Sequence, residues 1–180
     1  MRALVEVKIE NAKNLVPLPV WSSLSKLIAD YPASRVLEID PSLSSGDDFC
    51  ASYGIPSTNG LNCVVVAGSR GSDNVIAACM APVGAKLDLN GAVRRALNMR
   101  KVRMLDKEKL LADTGMEYGS VTPVGLPPGW RVLLPPSVGH LDYVVVGGGL
   151  RVSKLKLPPA ALLGLPDAVV VQNMVLDSPA

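Results

Sequence analysis

The feature that most restricts the fold is an apolar run of β-branched residues, followed by glycines and by a second apolar run. Residues 62–67 read NCVVVA, which is typical of a strand that is buried on both faces. Residues 68–71 (GSRG) form a turn signal, and residues 75–81 form a second strand-like run. The sequence therefore predicts a β-hairpin whose first strand lies in the interior of the protein.

Strand and helix patterns are mixed in order along the rest of the chain. Further strands are predicted at residues 4–10, 36–39, 102–105, 130–134, 143–146, 150–157 and 168–171. Helices are predicted at residues 21–31, 47–53, 89–97 and 106–113, and a short one begins at Pro158, with Ser44 or Ser45, Asp88 and Asp106 as N-caps. We therefore expect an α/β protein of the α+β type, in which helices flank a mixed β-sheet.

Composition and the cysteines predict where such a chain works. A hydrophobic content of 48% with 19% charged residues is that of an ordinary globular domain. The cysteines Cys50, Cys63 and Cys79 are odd in number and match neither a disulfide framework nor a metal pattern, which favours reduced, buried thiols. Glu6 and Glu10 argue against a signal peptide, and the apolar runs are too short to cross a bilayer. We expect a cytoplasmic protein that has no membrane contact.

Residues 113–126, DTGMEYGSVTPVGL, gather three glycines and a proline in one short loop. Glycine allows positive φ and close approach of a ligand, whereas Pro123 fixes one φ and removes one N–H donor. Such a loop can present a row of backbone amides to a carbonyl or an anion. The other reading is an ordinary turn between a helix and a strand.

Conventional catalytic side chains are largely missing from the sequence. His140 is the single histidine and has no HExxH partner. A surface role is therefore favoured over that of a general base, and no metal or cofactor is expected.

A cluster of basic residues is either a solvated face or a phosphate-contacting patch, and it comprises Arg94, Arg95, Arg100, Lys101 and Arg103. An enzyme built from these parts would use backbone amides and a positioned water, which suits hydrolysis of an activated ester.

Four segments resemble the YbaK / prolyl-tRNA-synthetase-associated family of editing domains and free-standing aminoacyl-tRNA deacylases. They are VVVAGSRG (64–71), KLDLNGAVRRAL (86–97), KVRMLDKEKLLADTGMEYGSVTPVGL (101–126) and VVVGGGLRVSKLKLP (144–158). Gly119 and Pro123 fill the two ends of the family's GxxxP signature. The likeness runs over residues 36–171, about three quarters of the chain.

The resemblance implies a compact domain with a mixed, strongly curved sheet, and hydrolysis of the ester between a mischarged amino acid and the terminal ribose of a tRNA. In that family the GxxxP loop holds the aminoacyl carbonyl through main-chain amides, and a ribose hydroxyl helps to activate the water. Carried onto this chain, the loop is formed by Gly119, Ser120, Val121, Thr122 and Pro123. Gly147, Gly148 and Gly149 would face it across the pocket, with residues 64–66, including Val64 and Val66, lining or supporting it.

One position departs from the family pattern. Many members place a lysine at the start of the central strand, where it contacts the ribose or phosphate of the substrate, and this chain has Asn62 there. Asparagine keeps hydrogen bonding but has no charge. Arg70, Lys154 or Lys156 are the cations that could replace the lysine from another element.

Two functions follow from this reading. The first is a trans-editing aminoacyl-tRNA deacylase that removes a small amino acid, with the acceptor end of aminoacyl-tRNA and an aminoacyl-tRNA synthetase as partners. The second is a catalytically inactive relative that binds tRNA, a nucleotide-like ligand or a protein partner. Asn62 favours this second function, and the intact residues 119–123 oppose it.

Residues 1–35 fall outside the alignment and are expected to be an extension packed on a deacylase domain of residues 36–175.

Overall fold

The predicted hairpin forms the centre of the larger of two main sheets. The computed structural model describes residues 1–176. Strands β3 (Leu61–Arg70) and β4 (Asp73–Pro82) pair antiparallel over ten residues each. The hairpin is therefore confirmed, but its turn is shorter than predicted. Gly68 stays in the strand, where Met99 packs at the position that a side chain would take, and Gly71 takes the turn with a φ of +60°.

Three more strands complete this sheet. Antiparallel β6 (Lys101–Met104) borders β3, while β7 (Arg131–Leu134) and β10 (Ala168–Val170) continue beyond β4 in parallel pairs. The strand order is β10-β7-β4-β3-β6. The sheet is therefore mixed, as the sequence predicts.

A second, antiparallel sheet has the strand order β1-β2-β9-β8. Its strands are β1 (Val5–Val7), β2 (Arg35–Glu38), β8 (Val144–Gly147) and β9 (Ser153–Leu157), and a separate short pair joins β5 (Lys86–Leu87) to β11 (Val175–Leu176). A bridge between Gly60 and Val145 connects β8 to the start of β3. The two main sheets meet at that corner, next to the segment that carries Asn62.

Short helices cover the sheets. They are α1 (Leu18–Leu27), α2 (Gly46–Tyr53), α3 (Arg94–Ala96), α4 (Lys107–Thr114) and α5 (Pro159–Leu163), with 3-10 turns at Ile9–Asn11, Pro41–Leu43 and Pro136–His140. The predicted N-caps are confirmed, since the side chains of Ser45, Asp88 and Asp106 each accept a hydrogen bond from a first-turn backbone amide.

Two predicted helices differ from the observed ones. Helix α1 begins at Leu18 rather than residue 21, because Pro17 is its N-cap and Pro19 lies in the first turn, where a missing N–H costs nothing. The predicted regular helix 89–97 is a π-helical turn, Leu89–Val93, followed by the short α3. The Asp88 carboxylate accepts from the amides of both Gly91 and Ala92 and so holds the wide turn in place.

The main hydrophobic core lies between the two sheets and includes the glycine-rich loop. Val65, Met80, Leu134 and Leu155 are buried there, and Val20 and Leu24 of α1 join them. The N-terminal segment thus packs on the rest of the chain, and the division into 1–35 and 36–175 stays a prediction. Across residues 1–176, no helix is long and apolar enough to cross a membrane.

Candidate functional site

The loop predicted to bind a carbonyl is anchored in the core by its apolar side chains. Helix α4 ends at Gly115, whose φ is +66°. Beyond it, the side chains of Met116, Val121 and Val124 are buried in the main core. The Thr114 hydroxyl donates to Leu110 O and accepts from Met116 N–H, which fixes the entry to the loop. The backbone of residues 119–123 is therefore held from both ends.

The glycine segment 147–149 contacts this loop directly instead of facing it across a pocket. Glu117 N–H donates to Gly149 O and Gly149 N–H donates to Ser120 O, both at 2.7 Å. The Glu117 carboxylate accepts from Arg151 N–H at 2.6 Å. A Cβ on Gly147 would collide with the carbonyl oxygens of Ser120 and Val121. Only glycine at position 147 lets the two loops lie together as one unit.

Within residues 119–123, two backbone amides have no acceptor. The N–H groups of Gly119 and Val121 donate to no atom within residues 1–176, whereas Ser120 N–H donates to Glu117 O at 3.1 Å. Thr122 N–H reaches only Met116 Sδ, a weak acceptor, at 3.5 Å. Gly119 is exposed, has a φ of +85° and has no atom within 4 Å of the position of a Cβ. Residues 119–123 thus contain two backbone donors, two residues apart, that make no hydrogen bond within the described chain.

The hydroxyls of the loop are structural rather than nucleophilic. Ser120 Oγ is buried and has no hydrogen-bond partner in the described part of the chain, so no base contacts it. Thr122 is fully buried, and its hydroxyl accepts from Val124 N–H at 3.4 Å. His140 lies exposed in the last 3-10 turn, which agrees with a surface role. Chemistry at this loop therefore depends on the backbone, since an unactivated hydroxyl is a weak nucleophile.

Lys154 is a buried cation next to this loop. It pairs with Gly147 across β8 and β9, and directly opposed residues in an antiparallel pair project to the same face. Its side chain therefore leaves the sheet on the face where Ser120 and Val121 approach Gly147. Its Nζ donates to Ser44 O at 2.7 Å and lies 5.5 Å from the centroid of the Phe49 ring.

No carboxylate in residues 1–176 pairs with Lys154, and the residue is 6% exposed. Burial lowers the pKa of Lys154 to about 8, because desolvation disfavours the charged ammonium. A buried lysine whose only hydrogen bond goes to a backbone carbonyl is costly for stability, which makes it a candidate for a functional role.

Asn62 lies beside the same segment that holds Lys154. Its side chain is exposed at the start of β3, and its Oδ1 lies 2.5 Å from the position that a Cβ on Gly46 would take. Ser44, which accepts from Lys154, is two residues before Gly46. Asn62 and the buried Lys154 therefore flank a common segment, residues 44–46.

The other predicted site residues lie elsewhere. Arg70 is eight residues further along β3, a separation of about 27 Å at ~3.4 Å per residue. Val64 and Val66 pack against the cluster under the 89–97 helical segment. Lys156 forms a surface ion pair with Glu6 at 2.6 Å. Of the three candidate replacement cations, Lys154 is the one next to the loop.

Two elements of the arrangement escaped sequence reasoning. The bracing role of Glu117 and the approach of residues 44–49 to Lys154 both depend on contacts between distant segments. For the bracing role of Glu117, the available signal was an isolated acid inside a glycine-rich loop. The approach of residues 44–49 to Lys154 has no signal in the sequence.

A cavity of about 600 Å³ lies behind the loop, at the Pro123–Gly125 bend. It is lined by α1, α5 and the turn before β7, including Tyr31, Leu126, Trp130 and Leu165. In the part of the chain that the structure describes, no group of three or more His, Cys, Asp or Glu side chains could hold a metal ion.

We predict that Gly147→Ala lowers the free energy of unfolding by about 1–3 kcal/mol, because the methyl group must displace the backbone of Ser120 and Val121. The loss is to be measured by urea unfolding, and exchange of the Gly149 amide should accelerate because its acceptor moves. Gly139→Ala is the control, since a Cβ there meets nothing within 4 Å. Equal stability of the two variants would contradict the close contact.

We also predict that the stability difference between Lys154→Met and the wild type depends on pH. Below pH 8 the lysine is charged in both states, and folding of the wild type buries a charged ammonium. Between about pH 8 and 10.5 the folded state holds the neutral amine while the unfolded chain still binds the proton, so the wild type becomes more stable as pH rises. The advantage of the variant should therefore shrink by up to about 3 kcal/mol over that window. Urea unfolding at several pH values measures it.

The control is Lys156→Met, which removes a lysine of the same strand whose Nζ lies at the surface beside Glu6. A difference that does not change with pH, or that changes equally for both variants, contradicts the buried ammonium.

Comparisons with solved structures support this fold. A crystal structure of the hypothetical protein APE2540 aligns with a TM-score of 0.73 at 20% identity and covers 86% of this chain and 99% of that one. A crystal structure of a proposed trans-editing enzyme for prolyl tRNA synthetase aligns with a TM-score of 0.71 at 21% identity, over 84% of this chain and 92% of that one. At these identities the likeness shows the fold alone.

A sequence comparison with curated proteins finds no match. The aminoacyl-tRNA editing domain family matches residues 40–165, which includes α2, the segment 119–123, the glycines 147–149 and Lys154. Because this match covers well over half of the 180 residues of the chain, the chain belongs to the aminoacyl-tRNA editing domain family.

Proposed function

We propose that this protein is a trans-editing hydrolase, which removes a small mischarged amino acid from tRNA by cleaving the ester to the terminal ribose. Membership of the aminoacyl-tRNA editing domain family supports the reaction class. The observation that carries the proposal is the pair of unbonded amides at Gly119 and Val121, in a loop that is held rigidly on both sides. We place this activity in the cytoplasm, with an aminoacyl-tRNA synthetase as the upstream source of the substrate.

The loop acts on the carbonyl of the aminoacyl ester. The amides of Gly119 and Val121 donate to the carbonyl oxygen, and these bonds strengthen as negative charge develops there. A water activated by a ribose hydroxyl of the substrate attacks the carbonyl carbon. The ester C–O bond then breaks, the ribose oxygen takes up a proton, and the free amino acid and the tRNA 3′ end are released. Because neither amide donates to another atom of the described chain, no internal hydrogen bond has to break when they bind the carbonyl oxygen.

Lys154 supplies the positive charge that Asn62 lacks. It lies on the sheet face next to Gly147, beside the segment 44–46 that Asn62 also contacts. A cation there can contact the ribose or the terminal phosphate, which is the role that the family resemblance gives to a lysine at position 62. Its single bond to Ser44 O leaves two of the three ammonium protons for a substrate.

The alternative is a catalytically inactive relative that binds tRNA, a nucleotide-like ligand or a protein partner. The exposed, uncharged Asn62 favours it, because the lysine of the resemblance is absent from its usual strand. Hydrolysis of mischarged tRNA by the wild-type protein separates the hydrolase from the inactive relative.

We predict that Gly119→Ala lowers deacylation of mischarged tRNA by tenfold or more. The φ of +85° costs an alanine about 1–2 kcal/mol and shifts the two amides, and the new methyl group projects into the open space where the ester binds. The assay follows release of the amino acid from a panel of mischarged tRNAs, including alanyl- and cysteinyl-tRNA with proline tRNA.

Gly129→Ala is the matched control, since Gly129 has a φ of +81° and equally open surroundings outside the loop. Loss in the loop variant alone locates the reaction at Gly119. No turnover by the wild type on any of these substrates, together with measurable tRNA binding, would move the conclusion to the inactive relative.

A rescue experiment tests the role of Lys154. Lys154→Met should lower turnover about 10- to 100-fold, as expected for loss of a charge-assisted hydrogen bond. Adding Asn62→Lys should restore part of it, because position 62 is exposed beside the same segment. Lys156→Met is the control with the same side-chain change at the surface. Full activity of Lys154→Met would exclude Lys154 from the reaction.

A further inference from the structure

A concave groove that gathers four arginines lies at the end of the central hairpin far from the loop. Its volume is about 490 Å³, and it is lined by Arg70, Arg94, Arg95, Asn98 and Arg100, with Gly71 and Met99. Arg70 comes from the end of β3, and the other arginines come from α3 and the turn before β6. The fold thus adds Arg70 to the basic cluster that the sequence shows.

Asp73 lies opposite Arg70 in the register of β3 and β4, but no carboxylate of the described chain is within ion-pair distance of the groove's arginines. None of the four arginines forms an ion pair within residues 1–176. Arg70 Nη1 donates to Asn98 Oδ1 at 2.6 Å, and Arg94 Nε donates to Asn90 O at 2.7 Å, so neutral groups hold these two guanidinium groups in place. The side chains of Arg95 and Arg100 make no hydrogen bond in the same range and remain available.

Arginine suits phosphate better than lysine does. Its planar fork donates two parallel hydrogen bonds to phosphate oxygens, and the group is always charged. Four such groups in one concave surface repel one another, and a polyanion that bridges them relieves that repulsion.

The distance along β3 from the groove to Asn62 indicates which polyanion fits. Arg70 is about 27 Å from Asn62 along β3, and a nucleic-acid duplex places one phosphate per strand every ~3.4 Å along its axis. The groove therefore lies about eight nucleotide steps from Asn62. With the ester held at the Asn62 end of β3, that distance reaches the paired part of an acceptor stem. Duplex RNA is recognised mainly through its shape and its phosphates, which is the chemistry that arginines provide.

Given the function proposed above, on which this step rests, we propose that the arginine groove binds the phosphate backbone of the tRNA acceptor stem while the terminal ester occupies the loop at residues 119–123. The groove sets affinity for the stem and takes no part in hydrolysis.

The test uses the double variant Arg95→Gln/Arg100→Gln, whose side chains carry no internal bonds. For mischarged tRNA, KM should rise about tenfold or more with kcat unchanged, and the slope of log Kd against log salt should become shallower by about 1–2. Hydrolysis of the same amino acid esterified to adenosine, which has no stem, should be unaffected. The control Lys8→Gln/Lys13→Gln removes the same charge from the N-terminal segment.

An equal effect of both double variants, or none of the groove variant on tRNA, overturns the proposal. So does binding of the wild type to acidic lipid vesicles but not to tRNA. If the wild type binds tRNA without hydrolysing it and the groove variant loses binding, the groove stands and the proposed hydrolase fails. If the wild type hydrolyses tRNA and the groove variant does so with an unchanged KM, the hydrolase stands and the groove fails.

Discussion

The hydrogen-bonded joint between residues 117–120 and 149–151 is the contact on which the candidate site depends. Two backbone bonds and one carboxylate–amide bond join the loop after α4 to the loop after β8. Neither loop has regular structure of its own, so each is held by the other and by the buried side chains beneath. Gly147 makes the contact possible, because any larger residue would separate the two backbones. A site made of main-chain amides needs this rigidity, since amides that can rotate to solvent gain little from a ligand.

The same corner of the molecule brings Lys154 and Asn62 together. Lys154 lies on β9 of one sheet and Asn62 on β3 of the other, and the bridge from Gly60 to Val145 joins the start of β3 to β8, the neighbour of β9. Asn62 and the buried Lys154 therefore lie on different sheets but beside the same segment, residues 44–46. Burial lowers the pKa of Lys154, because desolvation disfavours its charged form.

The sequence was most informative where local chemistry decides the structure. The β-branched run predicted β3, and the caps Ser45, Asp88 and Asp106 each mark a helix start, because these signals act over a few residues. The residue pattern of the loop at 119–123 also pointed to the family that the comparison then showed.

The π-helical turn at 89–93 was not predicted, because the Asp88 carboxylate holds its wide turn through two backbone amides and the apolar periodicity does not encode it. The contacts of Glu117 and Lys154 join residues far apart in sequence, and no local pattern encodes such contacts. The roles of the individual site residues remain predictions.

The pairing order of the second sheet has a consequence for synthesis on the ribosome. Strand β2 pairs with β1 on one side and with β9, more than a hundred residues later, on the other. The face that carries Lys154 therefore cannot form until residues 153–157 have left the exit tunnel. The central hairpin and its neighbour β6 can pair long before that, because their residues are close in sequence. The arginine groove is completed later still, because the segment 89–97 that carries two of its arginines packs against Val171 and Met174, which follow β9 in the chain.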